Sequence, residues 1–196
     1  MRTAQINRNT TETKIALNLN LDGSGSFQIS TGIGFFDHML TQIAVHGLFD
    51  LEISARGDLE VDAHHTVEDC GLALGNAFRE ALGDKAGIVR TASAIVPMDE
   101  ALGEVIIDFS GRPFSVIQVP WSSPMVGGLP TSLLEHFFQS FAVASGATLH
   151  LHVHYGRDNH HMAESLFKAY ARACSQAVLI DPRRTISIPS SKGTLS

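Results

Sequence analysis

Apolar residues recur along this chain in two rhythms, and both rhythms occur twice. Phe36, Met39, Leu40, Ile43 and Ala44 follow the i, i+3, i+4, i+7, i+8 spacing of a helix with one buried face. A shift of 98 residues lays Leu134, Phe137, Phe138, Phe141 and Ala142 on the same stripe. At that shift Leu51, Ile53 and Ala55 match Leu149, Leu151 and Val153, each set alternating with polar residues as in a half-buried strand. A second helical stripe follows in each half. Leu72, Ala73, Ala77, Phe78 and Ala81 form one, and Phe167, Tyr170, Ala171, Cys174 and Val178 form the other.

A second register, shifted by 88, pairs the segments upstream of these helices. Residues 17–23 align with 105–111, each an apolar alternation that ends in glycine, and short strands follow at 27–29 and 114–119. Residues 3–9 and 91–96 each supply a first strand. The ten-residue difference between the registers falls on residues 120–128, rich in Pro, Ser and Gly, which read as a loop. Its Trp121 and Met125 read as exposed apolar residues. The expected fold class is α+β: duplicated β-β-β-α-β-α halves with mostly antiparallel sheets and helices packed on one face. The boundary lies at 84–87, so residues 1–86 form the first half, 87–183 the second, and 184–196 a tail.

Composition narrows the function classes. With 196 residues, 44% of them hydrophobic, the chain can bury a core. No apolar run is long enough for a membrane span, the N-terminus lacks a secretory apolar stretch, and a cytoplasmic location is expected. The net charge is −6 with no basic block, which argues against a nucleic-acid partner. Cys70 and Cys174 are far apart in helical stripes and read as reduced core thiols.

Histidine is the anomaly, with ten copies. His64-His65-Thr66-Val67-Glu68 is answered by His160-His161-Met162-Ala163-Glu164. An acidic-His pair precedes each: Asp37-His38 stands 26 residues before His64, and Glu135-His136 stands 24 before His160. Six imidazoles and two carboxylates are what two metal ions with four protein ligands each would need. On a helix, the first His and the Glu share a face at i, i+4, whereas adjacent histidines diverge by about 100°. Each adjacent pair is therefore expected to be split between two metals. His and carboxylate without cysteine suit Mn, Fe, Co, Ni or Zn and disfavour a structural zinc knot. His150, His152 and His154 align with Glu52, Ser54 and Arg56 and read as a polar or subunit-contacting strand face. His46 reads as a helix-terminal residue.

Several segments carry a family resemblance. Gly32-Ile33-Gly34-Phe35-Phe36-Asp37-His38, Asp62-Ala63-His64-His65-Thr66-Val67-Glu68, Pro97-Met98-Asp99-Glu100-Ala101-Leu102, Asp108-Phe109-Ser110-Gly111-Arg112-Pro113, Asn159-His160-His161-Met162-Ala163-Glu164 and Pro189-Ser190-Ser191-Lys192-Gly193 together resemble the imidazoleglycerol-phosphate dehydratases of histidine biosynthesis. The resemblance implies a ribosomal S5 domain 2-like fold and a hydro-lyase that converts imidazole-glycerol phosphate to imidazole-acetol phosphate. It implies two Mn ions per chain, though other divalent transition metals are possible. The implied split gives His64, His136, His160 and Glu164 to one ion and His38, His65, Glu68 and His161 to the other. Both ring nitrogens of the substrate would be held as an imidazolate, which expels the hydroxyl through a diazafulvene-like species.

By the same resemblance Glu12 transfers the proton at the carbon chain, with Lys168 as a polar partner. Arg90, Arg112, Ser190, Ser191 and Lys192 bind the phosphate. A homo-oligomer of 24 subunits with shared active sites is implied too. The residues alone leave two other readings open: a non-catalytic dinuclear metal-binding assembly protein, and a dinuclear phosphoester hydrolase. Hydrolases of that kind bridge their metals with carboxylates, whereas this set is dominated by histidine.

Overall fold

A computed structural model describes residues 1–184 and 186–195; the implied tail loses only 185 and 196 to this limit. The first half runs β1 (Thr3–Asn9), β2 (Thr13–Asn20), β3 (Phe27–Ser30), α1 (Gly34–Gly47), β4 (Asp50–Gly57) and α2 (His64–Leu82). The second runs β5 (Thr91–Met98), β6 (Ala101–Asp108), β7 (Phe114–Gln118), β8 (Met125–Val126), β9 (Leu129–Pro130), α3 (Thr131–Ser145), β10 (Thr148–Tyr155) and α4 (Asn159–Val178). Apart from β8 and β9, each half has the expected order.

The two main sheets have equivalent strand orders, β1-β2-β4-β3 and β5-β6-β10-β7. Most pairings are antiparallel. The third strand of each half departs from a simple meander: β3 lies beyond β4 and pairs with it in parallel, as β7 does with β10. A helix separates those strands in sequence, and such a crossover is what lets neighbours run parallel. Residues 120–128 are not a plain loop either. β8 and β9 form a small hairpin there, and Trp121 is half-buried against the core, its indole N–H donating to Glu135 Oε1 at 2.8 Å. Met125 is exposed as expected.

Side chains alternate along the strands. Ile15, Leu17, Leu19, Leu51 and Ile53 point inward from the first sheet, and Val105, Ile107, Leu149 and Leu151 from the second. Between the sheets the helices meet across the two halves, α2 against α3 and α1 against α4. Aromatic side chains fill this layer: Phe36, Phe78, Phe137, Phe138, Phe141, Phe167 and Tyr170 are all almost wholly buried. The α2–α3 contact is close because Gly71 and Gly75 face it. A Cβ on Gly71 would stand 2.7 Å from the Phe137 carbonyl oxygen, and one on Gly75 would stand 2.7 Å from both Ala144 Cβ and the Phe141 carbonyl oxygen. That approach brings His136, on α3, beside the first turns of α2. No helix among the described residues is long and apolar enough to cross a membrane.

Candidate metal centre

An aspartate two residues before the first histidine meets the start of each HHxxE helix. The Asp62 carboxylate accepts the His64 backbone N–H at 2.7 Å, and Asp158 accepts that of His160 at 2.7 Å. An acidic oxygen at a helix N-terminus satisfies an otherwise unpaired donor and suits the helix dipole. Residues four apart on a helix share a face. His64 Nε2 then lies 3.4 Å from Glu68 Oε2, and His160 Nε2 lies 3.1 Å from Glu164 Oε2.

The upstream histidines complete two trios. His136 Nε2 lies 3.3 Å from Glu68 Oε2, and the rings of His64 and His136 stand 4.8 Å apart. His38 Nε2 lies 3.2 Å from Glu164 Oε2, with its ring 5.5 Å from that of His160. In each trio one donor atom per residue falls within 4.8 Å of the other two. His136 Nε2 is buried without a hydrogen bond of acceptable geometry, although a carboxylate oxygen is near. A buried imidazole nitrogen with no partner is costly. A metal ion would resolve that cost, and the donor chemistry fits one.

This grouping differs from the implied ligand split: Glu164 and His160 lie beside His38, and Glu68 lies beside His64 and His136. The reason is local: at i, i+4 each glutamate is bound to the first histidine of its own motif.

His65 and His161 enter neither trio. Their rings turn edge-on to those of His64 and His160, at 6.0 and 6.2 Å between centroids. The divergence expected of adjacent helical residues is therefore present, and both second histidines point away from their own chain's trios. A carboxylate holds Nδ1 of each: Asp58 on His65 at 3.0 Å, and Glu100 on His161 at 2.6 Å. These hydrogen bonds raise both imidazole pKa values. Glu100 accepts backbone N–H groups of Asp158 and Arg157 as well as His161, and its carboxyl is pushed down to about 2. With Nδ1 occupied, Nε2 is the nitrogen left for a ligand. Glu12, in the turn just before β2, has Oε1 3.8 Å from Nε2 of His65.

Lys168, one turn beyond Glu164, reaches its Oε1 at 2.6 Å. Burial alone would push the Glu164 carboxyl up. The Lys168 ammonium and His38 outweigh it and leave the group below its usual range.

The phosphate candidates lie elsewhere. Arg90 binds Asp108 through Nε and Nη2 at 2.7 and 2.9 Å and donates from Nη1 to the Pro189 carbonyl at 2.8 Å. Three of its five N–H donors are engaged, and they tie the tail to the sheet. Ser190 accepts the Lys192 N–H on Oγ at 3.2 Å, and Ser191 and Lys192 are exposed. Arg112, exposed, follows the Ser110–Gly111 turn at the same end of the second sheet. The Arg90 N–H binds the Ala177 carbonyl, near the C-terminus of α4, whereas His160 and Glu164 occupy its first turns. At 1.5 Å per residue, His160 and Ala177 stand about 25 Å apart along the helix. Within one chain the trio on α4 and Arg90 are therefore not brought together.

Sequence reasoning missed Asp58, Asp62 and Asp158. The last two carried a legible signal, because both motifs read Asp-x-His-His. Asp58 had none, since the register places Gly156 opposite it.

The family resemblance read from the motifs agrees with comparisons to known proteins. The family model for imidazoleglycerol-phosphate dehydratase matches residues 31–174. The chain is 55% identical over 194 residues to the imidazoleglycerol-phosphate dehydratase of Zymomonas mobilis, covering 99% of each chain. It is 56% identical to that of Albidiferax ferrireducens, covering 99% of this chain and 95% of that one. Among solved structures, the Staphylococcus aureus dehydratase superposes with a TM-score of 0.83 at 34% identity, covering 91% of this chain and 99% of its own. The Pyrococcus furiosus enzyme, solved in complex with (S)-C348, superposes at 0.84 and 33%, covering 97% and 100%. The chain belongs to the imidazoleglycerol-phosphate dehydratase family.

Proposed function

We propose that this chain is a metal-dependent hydro-lyase of histidine biosynthesis, acting in the cytoplasm. It removes water from imidazole-glycerol phosphate to give imidazole-acetol phosphate. The observation that carries the reading is the paired His-His-Glu trios in a chain that matches dehydratases over nearly its whole length. Two Mn ions per chain, or other divalent transition metals, suit these donors. His64, Glu68 and His136 would hold one, and His38, His160 and Glu164 the other. Bound there, the ions supply Lewis acidity at the substrate's ring nitrogens.

The chain's own residues do the rest. Glu12 carries the proton at the carbon next to the ring. Lys168 keeps Glu164 ionised as a ligand. Arg112, Ser190, Ser191 and Lys192 hold the phosphate, with Arg90 fixing the tail and offering its remaining N–H groups.

The sites are shared between subunits, in a shell of 24. Two observations support sharing. The trio on α4 and Arg90, at the far end of that helix, are separated by about 25 Å, far more than an imidazole bearing a three-carbon phosphate ester can bridge. His65 and His161 are oriented by carboxylates yet serve no trio of their own chain. Each motif's second histidine therefore completes the trio that a neighbouring copy presents through its other motif. His161 joins the neighbour's His64, Glu68 and His136, and His65 joins the neighbour's His38, His160 and Glu164.

The test is consumption of imidazole-glycerol phosphate by the purified protein with Mn supplied. Turnover that chelation abolishes and Mn restores is expected. Metal-replete protein without turnover would leave a non-catalytic assembly protein as the reading. For the phosphate end, Arg112→Ala and Lys192→Ala are expected to lower kcat/KM about tenfold to a hundredfold each, with metal content unchanged.

A further inference from the structure

On the face of the second sheet away from the helices, β10 carries His152 and His154 beside Glu104 of β6. His152 lies directly opposite Glu104 in the antiparallel register. His154 is displaced from that register. The ladder slips between Val153 and Tyr155, which pair with Gly103 and Leu102, and His154 is the extra residue of this β-bulge. Bulges re-aim side chains, and this one has a definite result. The two imidazoles stack at 4.7 Å with 19° between planes, and His154 Nε2 reaches Glu104 Oε2 at 2.9 Å. One donor atom from each of the three residues falls within 4.8 Å of the others. His150 lies on the same face but opposite Ile106, so no carboxylate joins it there.

We propose that Glu104, His152 and His154 form a third divalent-metal site, separate from the two trios on the helices. Two imidazoles and one carboxylate are a borderline donor set that favours Zn²⁺, Ni²⁺ or Cu²⁺ over Mg²⁺ or Ca²⁺. Donors around a tetrahedral ion at 2.0–2.2 Å stand about 3.3–3.6 Å apart, so small side-chain rotations close the site. Glu104 and the His154 bulge come from different strands, and an ion held by both fastens β6 to β10 where their ladder is interrupted. Three protein donors leave at least one position to water.

Zn²⁺ is the probe. Untagged protein is stripped by chelation, titrated with Zn²⁺, and compared with a His152→Ala/His154→Ala double variant and with Glu104→Gln. The wild type is expected to bind one equivalent per chain more than the double variant. Glu104→Gln is expected to weaken that equivalent by more than about tenfold, the loss that a change in a ligand's surroundings already produces. Zn²⁺ in excess of the other sites is expected to raise the Tm of the wild type and not of the double variant. Dehydratase turnover is expected to persist in both variants. The comparison reads a difference between proteins, so its outcome does not depend on how many ions the helical trios hold. Equal Zn²⁺ stoichiometry and affinity in wild type and double variant would overturn the proposal. Should the double variant fail to fold, an unchanged Zn²⁺ titration in Glu104→Gln overturns it instead.

Discussion

Glu100 places a carboxylate oxygen 2.6 Å from Nδ1 of His161, from a turn between two strands of the second sheet. In the first half the same task falls to Asp58, just after β4, and not to Glu12, which is the register counterpart of Glu100. The duplication has thus divided a role. One half orients its outward histidine from the first turn of the sheet, and the other does so from the segment before the helix. That division leaves Glu12 unengaged by the Nδ1 atom and near Nε2.

A carboxylate on Nδ1 fixes the tautomer and ring orientation of a ligating histidine and raises its basicity. Asp58→Asn and Glu100→Gln are therefore expected to lower Mn affinity about 10–100-fold while leaving the fold intact. Mn titration followed by metal analysis after dialysis checks this. Affinities equal to wild type in both variants would show that these carboxylates do not act through the metal.

The proposed subunit sharing has a sharper consequence. His65→Ala damages only the face that carries His64, and His161→Ala only the face that carries His160. Each variant alone is expected to be inactive. Dissociated and reassembled together, they are expected to regain activity at about a quarter of the sites, since random mixing pairs intact faces that often across a heterologous contact. Mixed assemblies as inactive as either parent would place both histidines at metals of their own chain.

The α2–α3 glycines test how packing sets the site. Gly75→Ala would push a methyl to 2.7 Å from the Phe141 carbonyl oxygen and Ala144, so the helices must separate. Over-packing of this kind costs about 1–3 kcal/mol. The expected signature is a lower Tm together with weaker metal binding, because His136 sits on the displaced helix. Ordinary stability and metal affinity in Gly75→Ala would mean that α3 shifts without moving His136.

Much of this architecture is legible in the sequence because burial enforces periodicity. The stripe from Phe36 to Ala44 and its repeat from Leu134 to Ala142 place two helices correctly, since only one face of each can enter the core. What periodicity does not encode is which neighbour a strand takes. The parallel pairing of β3 with β4 depends on the route of α1, a property of packing and not of residues 27–30. The candidate donors, six histidines and two glutamates in matched motifs, were legible in composition and spacing. Their grouping into trios depended on which helices touch, α2 with α3 and α1 with α4, and that is decided by Gly71, Gly75 and the aromatic layer. The bulge at His154 leaves no trace in the pattern, because His150, His152 and His154 alternate like any polar strand face.

Glu12 is the remaining chemical question. Its carboxylate is half exposed and lies 3.8 Å from His65 Nε2. If His65 completes a neighbour's trio, Glu12 travels with it to that neighbour's metal, which is where a proton at the substrate's carbon chain would be accessible. General acid–base catalysis contributes about 10²–10⁴-fold, so Glu12→Gln is expected to lose that much kcat with both metals and substrate affinity retained. Complementation then fixes its position. Mixed with His161→Ala, Glu12→Gln chains are expected to recover activity, because the defects lie on opposite faces. Mixed with His65→Ala, they are expected to recover none, because both defects lie on the same face. Recovery in the second mixture and not in the first would move Glu12 to the face of Glu164 and Lys168, and proton transfer would then be assigned within one chain.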